Sequence, residues 1–124
     1  MTRWLLWAGW SVELPACTAQ RNPDGSWSAW GEDWALDVNI FEIGDVVSAD
    51  TLLGVVAAGS RRDGDSWIGT EQLLVEQDSG RPVYRLMGKA CATSTILQFC
   101  VSYLSSDQYE FARAVVAGLA HDAG

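Results

Sequence analysis

Two runs of alternating residues, Tyr84–Cys91 and Ile96–Leu104, constrain this chain more than any other feature. In the second run the odd positions are Leu97, Phe99, Val101 and Tyr103. In the first, Tyr84, Leu86, Gly88 and Ala90 alternate with Arg85, Met87, Lys89 and Cys91. Side chains on a strand point alternately to opposite faces, so each run has one apolar face. A turn at Ala92-Thr93-Ser94-Thr95 sets Ala90 opposite Leu97, Gly88 opposite Phe99, Leu86 opposite Val101 and Tyr84 opposite Tyr103. Both apolar faces then share one side, and a one-residue slip would separate them. Gly88 is expected to leave room for the Phe99 ring. The other side carries Arg85, Met87, Lys89 and Cys91 against Gln98, Cys100 and Ser102.

A helix follows directly. Ser105 with Gln108 three residues on forms a capping box, and Asp107 and Glu110 lie in the first turn, where the helix dipole favours carboxylates. Phe111, Val115 and Leu119, with Ala112 and Val116 beside them, form a stripe suited to cover the apolar side of the hairpin. His121-Asp122-Ala123-Gly124 is expected to fray.

Upstream, Trp4, Leu6, Ala8, Trp10, Val12 and Leu14 occupy even positions and predict one long strand closed by Pro15. Gln20–Gly25 reads as a loop containing the turn Asn22-Pro23-Asp24-Gly25. Ser26–Trp30 predicts a second strand, Gly31-Glu32-Asp33 a turn, and Trp34–Phe41 a third strand. Ser48 caps a predicted helix through Leu52, Leu53, Val55 and Val56 that stops at Gly59. Arg61–Ser66 reads as a charged turn, Trp67–Gln77 as a strand, and Asp78–Pro82 as the turn into the hairpin. The order is β-β-β-α-β-β-β-α. This predicts one α+β domain over residues 1–124, an antiparallel sheet of about six strands with two helices on it.

The 124 residues carry a formal net charge of −8, with acidic residues dispersed. No basic patch is present to neutralise phosphates, which argues against nucleic acid and against anionic membrane surfaces. Cys17, Cys91 and Cys100 form neither a disulfide framework nor a zinc pattern. In the predicted register Cys91 faces Ile96 and Cys100 faces Met87, so no bridge is expected, and free thiols suit a reducing compartment. The opening Trp4–Trp10 run resembles a signal peptide, and Leu14-Pro15-Ala16-Cys17 resembles a lipoprotein cleavage box, but Glu13 interrupts the short apolar region. The expectation is a cytoplasmic protein, the alternative being export or lipid anchoring through Cys17.

Catalytic signatures are absent from the sequence. His121, the only histidine, lies in the terminal segment, and no glycine spacing fits a phosphate loop. Asp37 and Asn39 share a strand face and offer the weakest of three readings, an enzyme. No catalytic residue, metal ligand or cofactor is expected. The unusual feature is seven tryptophans. Trp4, Trp10 and Trp34 fall on apolar faces. Trp7 falls on the polar side of its strand, and Trp27 and Trp30, three apart, point to opposite faces. An exposed aromatic beside Arg85, Met87 and Lys89 is a typical anchor for a protein partner. Trp7, Trp27, Trp30, Arg85, Met87 and Lys89 are therefore the candidate partner-binding residues. A second buried layer, in which loops or the mate of a homodimer cover that side of the sheet, is the competing explanation.

Gly9-Trp10-Ser11-Val12-Glu13-Leu14-Pro15 resembles the opening strand of the PsbP-like superfold. That group includes the photosystem II extrinsic protein, a Ran-binding nuclear import factor, the envelope protein DcrB and the EagR-type secretion chaperones. Gln98–Tyr103 followed by Ser106–Phe111 resembles its closing strand and helix, and Ser48–Ala58 its middle helix. Ala16-Cys17 stands where the group usually has Gly-Trp. The resemblance implies a non-enzymatic, protein-binding scaffold such as an adaptor, chaperone or immunity factor. The alternative is a binding module holding a small apolar ligand between sheet and helix.

Overall fold

The computed structural model describes residues 1–53, 61–63 and 67–122, and leaves aside the side chains of residues 61–63, 67 and 68. The described residues form an α+β fold of two antiparallel sheets and two α-helices.

The N-terminal alternation builds a hairpin, not one strand: β1 (Thr2–Leu5) and β2 (Trp10–Leu14) pair Thr2 with Leu14 and Leu5 with Ser11. Ala8 and Gly9 both take positive φ, 55° and 86°, and the Trp10 N–H closes the turn on the Trp7 carbonyl at 3.1 Å. Glycine is needed here, since a β-carbon at Gly9 would fall 2.4 Å from the Asp122 carbonyl oxygen. The register keeps Trp4 opposite Val12, so even-numbered residues stay on one face through the turn. That parity makes the two arms read as one continuous strand.

Strand β3 (Thr18–Arg21) is not among the expected strands, and it takes in Gln20 and Arg21 from the start of the expected loop. It is an edge strand whose pattern carries only Ala19 as an apolar residue, too little for a periodicity signal. The turn after it forms as expected: Gly25 N–H donates to the Asn22 carbonyl at 3.0 Å, and Asn22 N–H to that of Ser26 at 2.8 Å. The Ser26 hydroxyl and amide both donate to Asp24, holding that carboxyl below its usual range. Next come β4 (Trp27–Trp30), β5 (Trp34–Glu42) and the short helix α1 (Ala49–Leu53). The expected continuation of α1 to Ala58 lies outside the described residues. Arg61–Asp63, expected in a charged turn, is strand β6, and the rest of that turn is not described. Then follow β7 (Trp67–Asp78), β8 (Arg81–Ala92) and β9 (Thr95–Tyr103). A 3₁₀ turn (Ser106–Gln108), helix α2 (Tyr109–Ala117) and β10 (Ala120–His121) close the order.

The strands divide into a three-stranded sheet, β1-β2-β10, and a seven-stranded sheet, β3-β4-β5-β9-β8-β7-β6. The β8–β9 register is the expected one, with Gly88 opposite Phe99 and Tyr84 opposite Tyr103. The space beside Gly88 is not left for the Phe99 ring, however. A β-carbon there would lie 1.9 Å from the Thr70 carbonyl oxygen, so the β7 backbone fills it. Ser105 and Gln108 form the capping box, at the head of the 3₁₀ turn that leads into α2.

The core lies between the seven-stranded sheet on one side and the small sheet plus α2 on the other. Trp10, Val12 and Leu14 from β2 meet Leu36 and Val38 from β5, Leu86 and Ala90 from β8, Leu97, Phe99 and Val101 from β9, and Ala112, Val115 and Leu119 from the C-terminal segment. The helix stripe thus packs as predicted, with Phe111 half-buried against Trp34 at 5.2 Å between ring centroids. The Trp10 indole N–H donates to Thr95 Oγ1 at 3.0 Å, tying the two sheets together inside the core. Among the described residues no helix is long and apolar enough to cross a membrane.

Candidate functional site: the open face of the large sheet

The large sheet has a second face, and among the described residues only one end of it is covered. There Leu53 of α1 packs on buried Cys91, with Leu52, Ala49 and Ile96 around them. The rest can be read row by row from the registers, because residues directly opposite on neighbouring strands share a face. The first row is Thr18, Trp30, Ala35, Ser102, Arg85 and Leu74. The second is Gln20, Ser28, Asp37, Cys100, Met87 and Gln72. The third is Asn39, Gln98, Lys89 and Thr70.

The structure therefore brings four of the six candidate residues onto one face. Arg85, Met87 and Lys89 alternate along β8, and Trp30 lies in the row of Arg85, three strands away. Trp27 is a correction. It is buried, 8% exposed, with its ring centroid 6.0 Å from that of Trp4. Within β4 the pair Trp27 and Ala29 is the apolar side and Ser28 with Trp30 the polar side, a signal that the short strand did carry. Trp7 is exposed, but it sits in the β1–β2 turn of the other layer, apart from the candidate face. The side chain of Trp67 is outside the described residues.

Hydrogen bonds fix much of this face. Asn22 Nδ2 donates to Ser28 Oγ at 2.9 Å, and Ser28 Oγ donates to Asp37 Oδ1 at 2.8 Å. This ladder across β4 and β5 escaped the sequence reading because Asn22 belongs to a turn. On β8, Arg85 Nη1 donates to Ser102 Oγ at 2.9 Å, and Arg85 Nε meets Glu76 Oε2 at 3.4 Å. Burial works to lower the Arg85 pKa, but its bonds to Cys100 and Glu76 outweigh burial and raise it. Lys89 Nζ reaches the Leu52 carbonyl at 3.5 Å. Both cations are thus engaged within the chain, while Asp37, Asn39 and Gln98 are exposed. Asn39 and Gln98 make no side-chain hydrogen bond among the described residues. A shallow groove of about 490 Å³ runs over Asp37, Asn39, Met87, Lys89, Gln98 and Cys100. On the same face of the sheet Trp30 is 37% and Phe41 49% exposed.

His121 is placed differently from expectation. It is paired opposite Trp10 in β10, its ring edge-on to the indole with centroids 4.8 Å apart and its Nε2 2.9 Å from the Ala8 carbonyl. Cys17, Cys91 and Cys100 are free, and no cluster of metal-ligating side chains forms among the described residues. The region between sheet and α2, where a small apolar ligand was the alternative, is filled by Leu86, Leu97, Val101, Ala112 and Val115.

No protein-family model matches the sequence, and no curated protein does. The fold is similar to that of a protein from Bacteroides thetaiotaomicron VPI-5482 whose crystal structure is known at 1.50 Å resolution. The TM-score is 0.69 at 12% identity, over 93% of this chain and 46% of that one. The chain therefore spans about half the length of this structural neighbour, and the likeness is one of fold.

Proposed function

We propose that this chain is a small non-enzymatic bacterial protein of the PsbP-like type, a cytoplasmic adaptor, chaperone or immunity factor that holds a basic segment of another protein on the open sheet face. One observation carries the reading. The face sets exposed Trp30 on the same side as exposed Asp37, which forms no ion pair among the described residues, and the amides of Asn39 and Gln98, while its own cations are tied to Glu76, Ser102 and the Leu52 carbonyl. Glu32 and Asp33, both exposed, lie in the turn just after Trp30. A net charge of −8 adds long-range attraction for a basic partner. A rigid aromatic ringed by polar groups is the usual form of an interface anchor.

A photo-crosslinking residue placed at Trp30, and in a second variant at exposed Ala117 of α2, tests this. The expected result is one discrete protein adduct at position 30, absent at 117 and lost when Asp37→Lys is added. The same adduct from both positions, or none at position 30, removes the reading.

A further inference from the structure

A second concavity, of about 830 Å³, opens at one end of the fold where four chain segments meet. Its size is that of small-ligand pockets. The walls are the Ala8-Gly9 turn, the end of β5 with Glu42 and the loop after it, the β8–β9 turn with Thr93 and Ser94, and the C-terminal strand with His121. Each wall is hydrogen-bonded to another. Asp122 N–H donates to the Gly9 carbonyl at 2.8 Å. Ser94 N–H donates to the Val47 carbonyl at 2.7 Å, Ser94 Oγ to that of Asp45 at 2.7 Å, and Ile43 N–H to the Ser94 carbonyl at 2.9 Å. These bonds hold the walls to one another, which lowers the cost of ordering them on binding.

What is left over inside has one chemical character. A carbonyl oxygen only accepts, so His121 Nε2, 2.9 Å from the Ala8 oxygen, carries the proton of the neutral ring and leaves Nδ1 as an acceptor. The Glu42 carboxylate forms no ion pair or hydrogen bond among the described residues, and neither does the Thr93 hydroxyl. Among the described residues no lysine or arginine lines the cavity. An anion would find no donor of charge there, whereas a donor-rich cation would meet a carboxylate, a ring nitrogen and a hydroxyl. We infer that this end cavity binds an organic cation, an ammonium or guanidinium group, with Glu42 as its counter-charge and His121 Nδ1 as a hydrogen-bond acceptor. The site is separate from the open sheet face and does not depend on the function proposed for it.

The single histidine makes the test direct, because its imidazole gives one set of NMR signals. Titration with agmatine is expected to shift those signals saturably, with a matching calorimetric isotherm. Sodium acetate at equal ionic strength should leave them in place. Glu42→Gln, an isosteric change at an exposed position, should weaken agmatine binding at least tenfold, and Glu42→Lys should abolish it. Asp37→Lys on the sheet face should leave it unchanged, which separates this site from the other. A short peptide with one arginine, run in parallel, distinguishes the sources. Tighter binding of the peptide points to a side chain of another protein, tighter binding of agmatine to a free small amine, and both support the site. No saturable shift with either, or an affinity that Glu42→Gln leaves intact, overturns it.

Discussion

The Trp10 indole N–H and the Thr95 hydroxyl meet at 3.0 Å with both residues buried, the first from the small sheet and the second from the large one. A buried polar group stripped of its partner costs about 1–3 kcal/mol, whereas loss of both partners can be nearly neutral. Thr95→Val is therefore expected to lower stability by about 1–3 kcal/mol. Thr95→Val in a Trp10→Phe background should cost clearly less, because no indole donor remains to be stranded. Urea denaturation of the four proteins of this double-mutant cycle measures the coupling.

Gly88→Ala should be among the most damaging small substitutions in the chain. Its β-carbon would lie 1.9 Å from the Thr70 carbonyl oxygen, and backbone cannot swing aside as a flexible side chain can. A loss of more than about 2 kcal/mol is expected. Gly44→Ala, where nothing lies within 4 Å, should stay within about 0.5 kcal/mol. Thermal melts of the two variants compare them directly.

The two tryptophans of β4 should behave oppositely. Trp27→Ala empties a site against Trp4 and is expected to cost about 3–5 kcal/mol. Trp30→Ala, at a partly exposed position, should cost less than about 1 kcal/mol, and its effect should appear in partner capture instead. Iodide quenching adds a second check, since Trp30 should be quenched and Trp27 protected.

Tyr103 stacks on Tyr84 at 5.3 Å, and its buried hydroxyl has no hydrogen-bond partner among the described residues. Tyr103→Phe removes that unsatisfied group at almost constant shape, so stability should hold or rise by up to about 1–2 kcal/mol. An unfolding midpoint that drops would mean that the hydroxyl is satisfied.

Alkaline pH should weaken the fold through two buried acids. Burial raises the Cys91 thiol, and burial followed by the neighbouring Tyr109 and Tyr84 raises the Tyr103 hydroxyl. The folded chain then keeps protons that the unfolded chain releases, so unfolding becomes easier as pH rises. The loss begins near the ordinary thiol value of about 8.5 and continues through the ordinary phenol value of about 10. Cys91→Ala should flatten the first part of that decline and Tyr103→Phe the second, as read from denaturation midpoints across this range.

The legibility of the fold in the sequence followed the strength of its periodicity. The β8–β9 register was legible to the residue, since the turn at Ala92–Thr95 and the parity of the two runs together set Leu86 opposite Val101 and Tyr84 opposite Tyr103. The capping box was legible for the same local reason. Strand β3 was not, because an edge strand with Ala19 as its one apolar residue has little to bury. The N-terminal hairpin was hidden by parity, and Gly9 was its one clue. At the candidate site, Arg85, Met87 and Lys89 were legible as neighbours along β8. Their relation to Trp30 depends on β5 and β9 lying between them, a matter of strand order that no local pattern encodes.

The pairing of β2 with β10 joins Ser11 to Ala120 and Trp10 to His121, almost the full length of the chain apart. During synthesis the β1–β2 hairpin emerges well before α2 and β10, and until these are made its apolar side, with Val12 and Leu14, has no helix α2 to rest on. Contacts of such long sequence separation form late. A nascent or truncated chain therefore displays this surface for as long as its C-terminal strand is missing, and is prone to association in that interval.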